Sequence, residues 1–127
     1  LGSYRLGVNS KVGLKLSLST TASGKSALSL LDTNKAKALL KSESQQQRRK
    51  DVKKLEDEIA KAGINGIAYD FDENNDGISA LGSSFIINKE IYSISIPVPS
   101  HRFYLKQKEL EKHLKTAIEK VKPLIVN

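Results

Sequence analysis

The sequence predicts an α+β domain with a largely antiparallel sheet, and three observations carry that expectation. Ile78 to Ile87 and Glu90 to Pro99 are strand-like runs separated only by Asn88-Lys89, the length of a hairpin turn. Another such run, Gly66 to Asp72, precedes them across the polar turn Glu73-Asn-Asn-Asp-Gly77. Helical segments lie before and after this block rather than between its strands, which argues against an alternating chain with a parallel sheet.

Each element has its own signal. Tyr4 to Val8 alternates weakly and reads as a strand, and Lys11 to Leu18 as a loop or short strand. Ser19-Thr-Thr21 offers hydroxyl N-caps to a helix carrying Ala27, Leu28, Leu30 and Leu31 on one broad apolar face. Asp32-Thr33 restarts a second short helix with Ala36, Leu39 and Leu40. Gln45 to Ala62 reads as a longer amphipathic helix striped by Val52, Leu55 and Ile59, with Gly63 as its stop. The final helix is expected from about Leu105 to Val121, with Leu110, Leu114, Ile118 and Val121 inward and Pro123 near its end.

The composition narrows the function classes. The 127 residues suit one domain with a single core. Hydrophobic residues at 39% and charged residues at 28% describe a globular chain rather than a disordered one. There is no apolar run long enough for a membrane span and no secretory signal pattern in Leu1 to Ser10. Cysteine is absent, which excludes disulfides and thiolate metal sites and fits a cytoplasmic protein. The net charge of +7 is spread mostly as Lys on helices that also carry Glu and Asp. Arg48, Arg49 and Lys50 form the only tight basic run, and no aromatic residue is interleaved to stack on bases. No recognition helix with a turn motif is visible, so direct DNA binding by this chain is not expected.

The two faces of the three central strands differ in kind. With period two, one face carries Tyr69 and Phe71, then Leu81, Phe85 and Ile87, then Tyr92, Ile94, Ile96 and Val98: a core face. The other carries Ala68 and Asp70, then Ala80, Gly82 and Ser84, then Ser93 and Ser95. A solvent-facing sheet surface carries long charged side chains, and this one has almost none. Something covers it: a helix packed closely, or a ligand over a pocket floor. If covered, the Asp70 carboxylate needs a partner, which a polar ligand would supply.

Other motifs lead nowhere. Asp72-Glu-Asn74-Asn-Asp76-Gly77 begins like a calcium loop, but Ser83 stands where an EF-hand needs a bidentate acid, and the flanks are strands. A hairpin turn with Gly77 at positive φ is the better reading. Gly24-Lys25-Ser26 lacks the first glycine of a phosphate loop, since Ser19 stands there. His101 and His113 have no carboxylate cluster at ligand spacing, so no metal site is expected. No nucleophilic triad is recognisable, and no second catalytic group converges on Asp70, so no enzyme activity, catalytic residue or cofactor is expected.

Three segments together resemble the effector-binding domain of the IclR family of bacterial transcription regulators. Leu16 to Leu28, with Thr21-Ala-Ser-Gly-Lys-Ser, is similar to the family's small-residue run that opens a helix. Leu55 to Ile59, Gly63, Gly66, Tyr69-Asp70 and Gly77-Ile-Ser-Ala80 resemble its helix, aspartate-bearing strand and following glycine. Ser95-Ile-Pro-Val-Pro-Ser-His-Arg-Phe103 and the last helix resemble its closing segment, although Pro97 stands where a second serine is expected.

The resemblance implies a GAF/PAS-like sheet with flanking helices that binds a small organic acid or similar metabolite and forms homodimers or homotetramers. It implies effector contacts at Ala22, Ser23, Asp70, Ala80 and Ser95. Operator DNA would be bound only through a winged helix-turn-helix domain outside this chain, with no membrane partner. Against the family pattern, residues 1–127 are expected to be an effector domain lacking its first helix and opening strands. The alternative left open is an oligomerisation or protein-interaction module with no ligand.

Overall fold

The computed structural model describes residues 17–43 and 51–125, with side chains through residue 123. The elements run α1 (Ala22–Leu28), α2 (Thr33–Ser42), α3 (Val52–Asn65), β1 (Ala68–Asn75), β2 (Ile78–Ile87), β3 (Glu90–Pro99) and α4 (Ser100–Ile125). The three strands form one antiparallel sheet in the order β1-β2-β3. This is the expected α+β arrangement. The strand expected at Tyr4 to Val8, the segment before Ser17 and the tight basic run lie outside the described residues.

Helix boundaries follow the capping chemistry. The Thr21 hydroxyl accepts from Gly24 N at 3.0 Å and starts α1, and the Asp32 carboxylate accepts from Lys35 N and starts α2. The stop expected at Gly63 is displaced. Gly63 lies inside α3, and Gly66 ends it in the left-handed conformation with φ +81°, a position that favours a residue without Cβ. Helix α4 begins five residues before the expected Leu105. Lys106 breaks it (φ −120°, ψ 15°), so the amphipathic pattern reports only the part beyond this kink.

The register confirms the two-faced sheet. Tyr69 pairs with Leu81 and Leu81 with Ile96, which places the large apolar residues on one face. Helix α4 covers that face. Leu81, Phe103 and Leu114 are fully buried with Ile67 beside them, and Ile94, Ile96, Val98, Leu110 and Ile118 pack around them. Phe71 departs from the core expectation, being 41% exposed. Its ring stacks on Tyr69 and Tyr104 and meets Phe103 edge-on, at the rim of the core.

Helix α1 covers the opposite face. Gly82 allows this: a Cβ built there would lie 3.0 Å from the Ala22 carbonyl carbon and 3.1 Å from its Cβ. Further along, the Ser26, Ser84 and Ser93 hydroxyls form a chain with steps of 2.6 Å. Close packing of a helix on small residues therefore accounts for this part of the face, as one of the two sequence readings held.

Candidate functional site beside Asp70

Two cross-strand rows hold most of the candidate residues. Asp70 on β1 faces Ala80 on β2, which faces Pro97 on β3; the next row is Ala68, Gly82 and Ser95. All lie on the face that receives α1. Ala22, the first residue of α1, is 2% exposed and sits over Gly82. Ser23 follows it, half-buried. Ala80 is buried and Ser95 is exposed. The register thus assembles Asp70, Ala80 and Ser95 with the opening of α1, although Ser95 stands at the open edge rather than under the helix.

Asp70 is 5% exposed. Its Oδ1 accepts from the Glu73 N–H at 2.8 Å and from the Asn74 N–H at 3.3 Å. Part of the partner demanded by the buried carboxylate therefore comes from the hairpin that follows it. Burial raises the Asp70 pKa above the ordinary aspartate value, and the neighbouring Glu73 charge pushes the same way. The two loop N–H groups and Lys25 oppose the rise. Among the residues that set this value, Lys25 is the only cation.

Lys25 is the residue that sequence reasoning missed. Its side chain is wholly buried, and its ammonium is held by three residues from two elements, α3 and β1. It donates to Glu58 Oε1 on α3 at 2.7 Å, to the Tyr69 carbonyl on β1 at 2.7 Å, and to both Glu73 oxygens at 2.8 and 2.7 Å. A charge can be buried when it is matched and hydrogen-bonded in this way. The sequence signal was the lysine of the Gly24-Lys25-Ser26 run, which was weighed as a phosphate loop and as part of the family's helix-opening run, with no role given to its ammonium. Gly24 has its own steric reason: a Cβ there would lie 2.6 Å from the Leu18 Cα and carbonyl oxygen.

Around these residues the chain is fastened by polar side chains. Glu43, the C-cap of α2, reaches back to accept from Ser17 Oγ at 2.8 Å and Leu18 N at 2.6 Å. The Asp72 carboxylate accepts from Gly77 N at 2.7 Å and Ser100 Oγ at 2.6 Å, which ties the hairpin turn to the start of α4. Asp72, near the end of β1, thus fastens the hairpin, and Gly77 takes the expected positive φ of +80°. Among the described residues no group of three or more His, Asp or Glu side chains could hold a metal ion. His101 and His113 are exposed. No helix in the described residues is long and apolar enough to cross a membrane.

A separate cleft of about 530 Å³ lies between α2 and α3, floored by Leu28, Ala36, Ile59 and Ala60, with Lys37 and Glu56 also in its lining. None of the sequence candidates lines it.

Known proteins share this fold. A model of the family described as bacterial transcriptional regulator IclR C-terminal matches residues 2–122. The chain is 37% identical over 68 residues to the HTH-type transcriptional regulator Rv1719 of Mycobacterium tuberculosis, which covers 53% of this chain and 26% of that protein. The structure is similar to the Thermotoga maritima IclR, with a TM-score of 0.78 and 27% identity, covering 91% of this chain and 50% of that one. It also matches the C-terminal domain of the E. coli transcriptional regulator KdgR in fold, with a TM-score of 0.69 and 23% identity, over 82% of this chain and 68% of that one. The match takes in half of the solved Thermotoga chain and a quarter of the mycobacterial regulator.

Proposed function

The chain belongs to the family of IclR C-terminal domains of bacterial transcriptional regulators, and from that membership we propose that it senses a small organic effector. The effector is a small organic acid or similar oxygenated metabolite. It lies over the Asp70–Ala80–Pro97 row, beside the Gly82 row on which α1 begins. The observation that carries this reading is the Asp70 carboxylate, 5% exposed on a small-residue face next to a helix start.

The roles follow from the chemistry of each group. The Ala22 and Ser23 N–H groups precede the first intrahelical acceptors and can donate to a ligand oxygen. Ser95 supplies a hydroxyl from the open edge, and Ala80 leaves room. Asp70 accepts from a ligand hydroxyl or shares a proton with a ligand carboxyl group. Lys25 does not meet the ligand, because Glu58, Glu73 and the Tyr69 carbonyl already engage its ammonium. An acidic effector is therefore held by amides and hydroxyls rather than by a side-chain cation.

The rest of the mechanism concerns a longer protein. A separate winged helix-turn-helix domain binds operator DNA, and this domain forms a homodimer or homotetramer. The effector biases arrangements that the assembly already samples and so changes the disposition of the DNA-binding domains. Residues 1–127 are, in this proposal, one part of an effector domain whose first helix and opening strands lie outside them.

A second reading is favoured by one observation. Ala22 sits so closely on Gly82 that helix packing fills that row without a ligand. On this reading the domain serves oligomerisation or protein interaction alone. Thermal shift against a panel of small hydroxy and keto acids separates the two. A binder at 100 times its Kd adds about 2.7 kcal/mol of stability, and Asp70→Ala weakens its binding. Panel binders whose affinity is untouched by Asp70→Ala contradict the placement; a panel without binders favours the second reading.

A further inference from the structure

We propose that the outward face of α4 is a sequence-independent docking stripe for the phosphate backbone of duplex DNA. From Ser100 to Ile125 this helix carries seven basic and three acidic residues. The hairpin from Asp70 to Gly77 carries four acidic residues and no basic one. Positive charge thus gathers along α4, whose first residue, Ser100, is bonded to the acidic hairpin.

The lysines are arranged as well as abundant. Lys108, Lys112, Lys115 and Lys122 follow one another at intervals of four, three and seven residues, which keeps them on one side of a helix. All four are exposed. At about 1.5 Å per residue the stripe extends roughly 21 Å. The buried residues Phe103 and Leu114 point the other way, into the sheet.

These cations have few acidic partners of their own. Among the described residues, Lys106 pairs with Glu109 at 3.9 Å within α4. Glu111 is occupied by the Tyr69 hydroxyl and by Gln107. Lys122 reaches back over the rim of the sheet, 5.8 Å from the centre of the Phe85 ring, so it marks the edge of the stripe while Lys108, Lys112 and Lys115 form its outward line. Glu119 is the only acidic residue on the stripe itself.

A duplex fits this pattern by charge. It offers roughly one phosphate per 1.7 Å of axis, so a 21 Å stripe faces about a dozen. From Lys108 to Lys122 no large exposed apolar side chain stands among the lysines to enter a bilayer, which favours nucleic acid over a lipid surface along this stretch; the exposed Tyr104 and Leu105 precede it. Nor is there an aromatic residue within the stripe to stack on single-stranded bases. The contact is to backbone and carries no sequence information. It is therefore distinct from operator recognition and independent of the effector reading.

The test uses the full chain, a duplex of arbitrary sequence, and binding measured by fluorescence anisotropy between about 20 and 200 mM salt. Binding should be independent of sequence. Lys112→Gln/Lys115→Gln should lower the magnitude of the slope of log K against log salt by about 1.8, since each lost phosphate contact is worth about 0.9. The exposed α3 pair Lys53→Gln/Lys61→Gln should leave the slope unchanged. Circular dichroism checks that both variants keep their helices. An α4 variant with the parent slope overturns the proposal, as does a chain that does not bind the duplex. Anionic vesicles that compete as well as DNA at equal charge would assign the stripe to lipid and overturn it too.

Discussion

Lys25 and Glu73 are joined twice: the buried ammonium lies 2.8 Å from one carboxylate oxygen and 2.7 Å from the other. Glu73 also donates its backbone N–H to Asp70. The candidate binding residue and the buried lysine are thus linked through one glutamate in the β1–β2 hairpin.

The linkage predicts a marked effect of Lys25→Met. Methionine fills much of the volume but removes the buried ammonium that Glu58 and Glu73 share. Removing one member of a buried pair costs on the order of 3–5 kcal/mol, and the lower end applies because both carboxylates keep some contact with water. Urea denaturation should show a loss of about 3 kcal/mol. Adding Glu73→Gln to Lys25→Met should recover part of it. A loss under about 1 kcal/mol would mean that the pair is weakly held.

Asp70 sets a pH dependence of unusual sign. Its folded-state pKa is raised, chiefly by burial. The folded chain therefore binds this proton more tightly than the unfolded chain, and stability from this group falls as pH rises through the window between the unfolded and folded values. Asp70→Asn removes that contribution while keeping an oxygen for the Glu73 and Asn74 N–H groups. Relative to Asp70→Asn, the parent chain should gain stability as pH falls from neutral into that window. A stability difference that stays constant from pH 7 to pH 4 would show that the folded and unfolded values coincide.

The close seat of α1 on the sheet predicts sensitivity at two glycines. Gly82→Ala pushes a methyl to 3.0 Å from the Ala22 backbone, and Gly24→Ala to 2.6 Å from the Leu18 backbone. Overpacking of this kind costs about 1–3 kcal/mol, and Gly24→Ala should be the costlier because its contact is shorter. Thermal unfolding of the two variants checks the order. Tolerance of alanine at Gly82 would mean that α1 sits farther from the sheet.

Much of this was legible in the sequence, and the failures have physical reasons. The Asn88-Lys89 turn and the alternation in β2 and β3 identified the hairpin and both faces, because a period of two constrains every side chain on a strand. Helix ends were less legible. Gly63 and Gly66 are both credible stops, and only the backbone angle tells which one turns left-handed. Phe71 has the right parity for the core but sits at its rim between the Tyr69 and Tyr104 rings, so it is 41% exposed. The Lys25 hub was hidden because Glu58 and Glu73 are 33 and 48 residues away, and no local spacing links them. The candidate effector residues came from parity and family likeness together. Parity alone groups Asp70 with Ala80 and Ser95, while only the resemblance draws in Ala22 and Ser23.

The central claim, that ligand binds beside Asp70, is tested most directly by mapping amide shifts in a two-dimensional NMR spectrum during titration with binders from the hydroxy and keto acid panel. The account predicts that the largest changes fall on Ala22, Ser23, Asp70, Ala80 and Ser95 and are lost in Asp70→Ala. Changes centred instead on Leu28, Ala36 and Ile59, the walls of the cleft between α2 and α3, would contradict it.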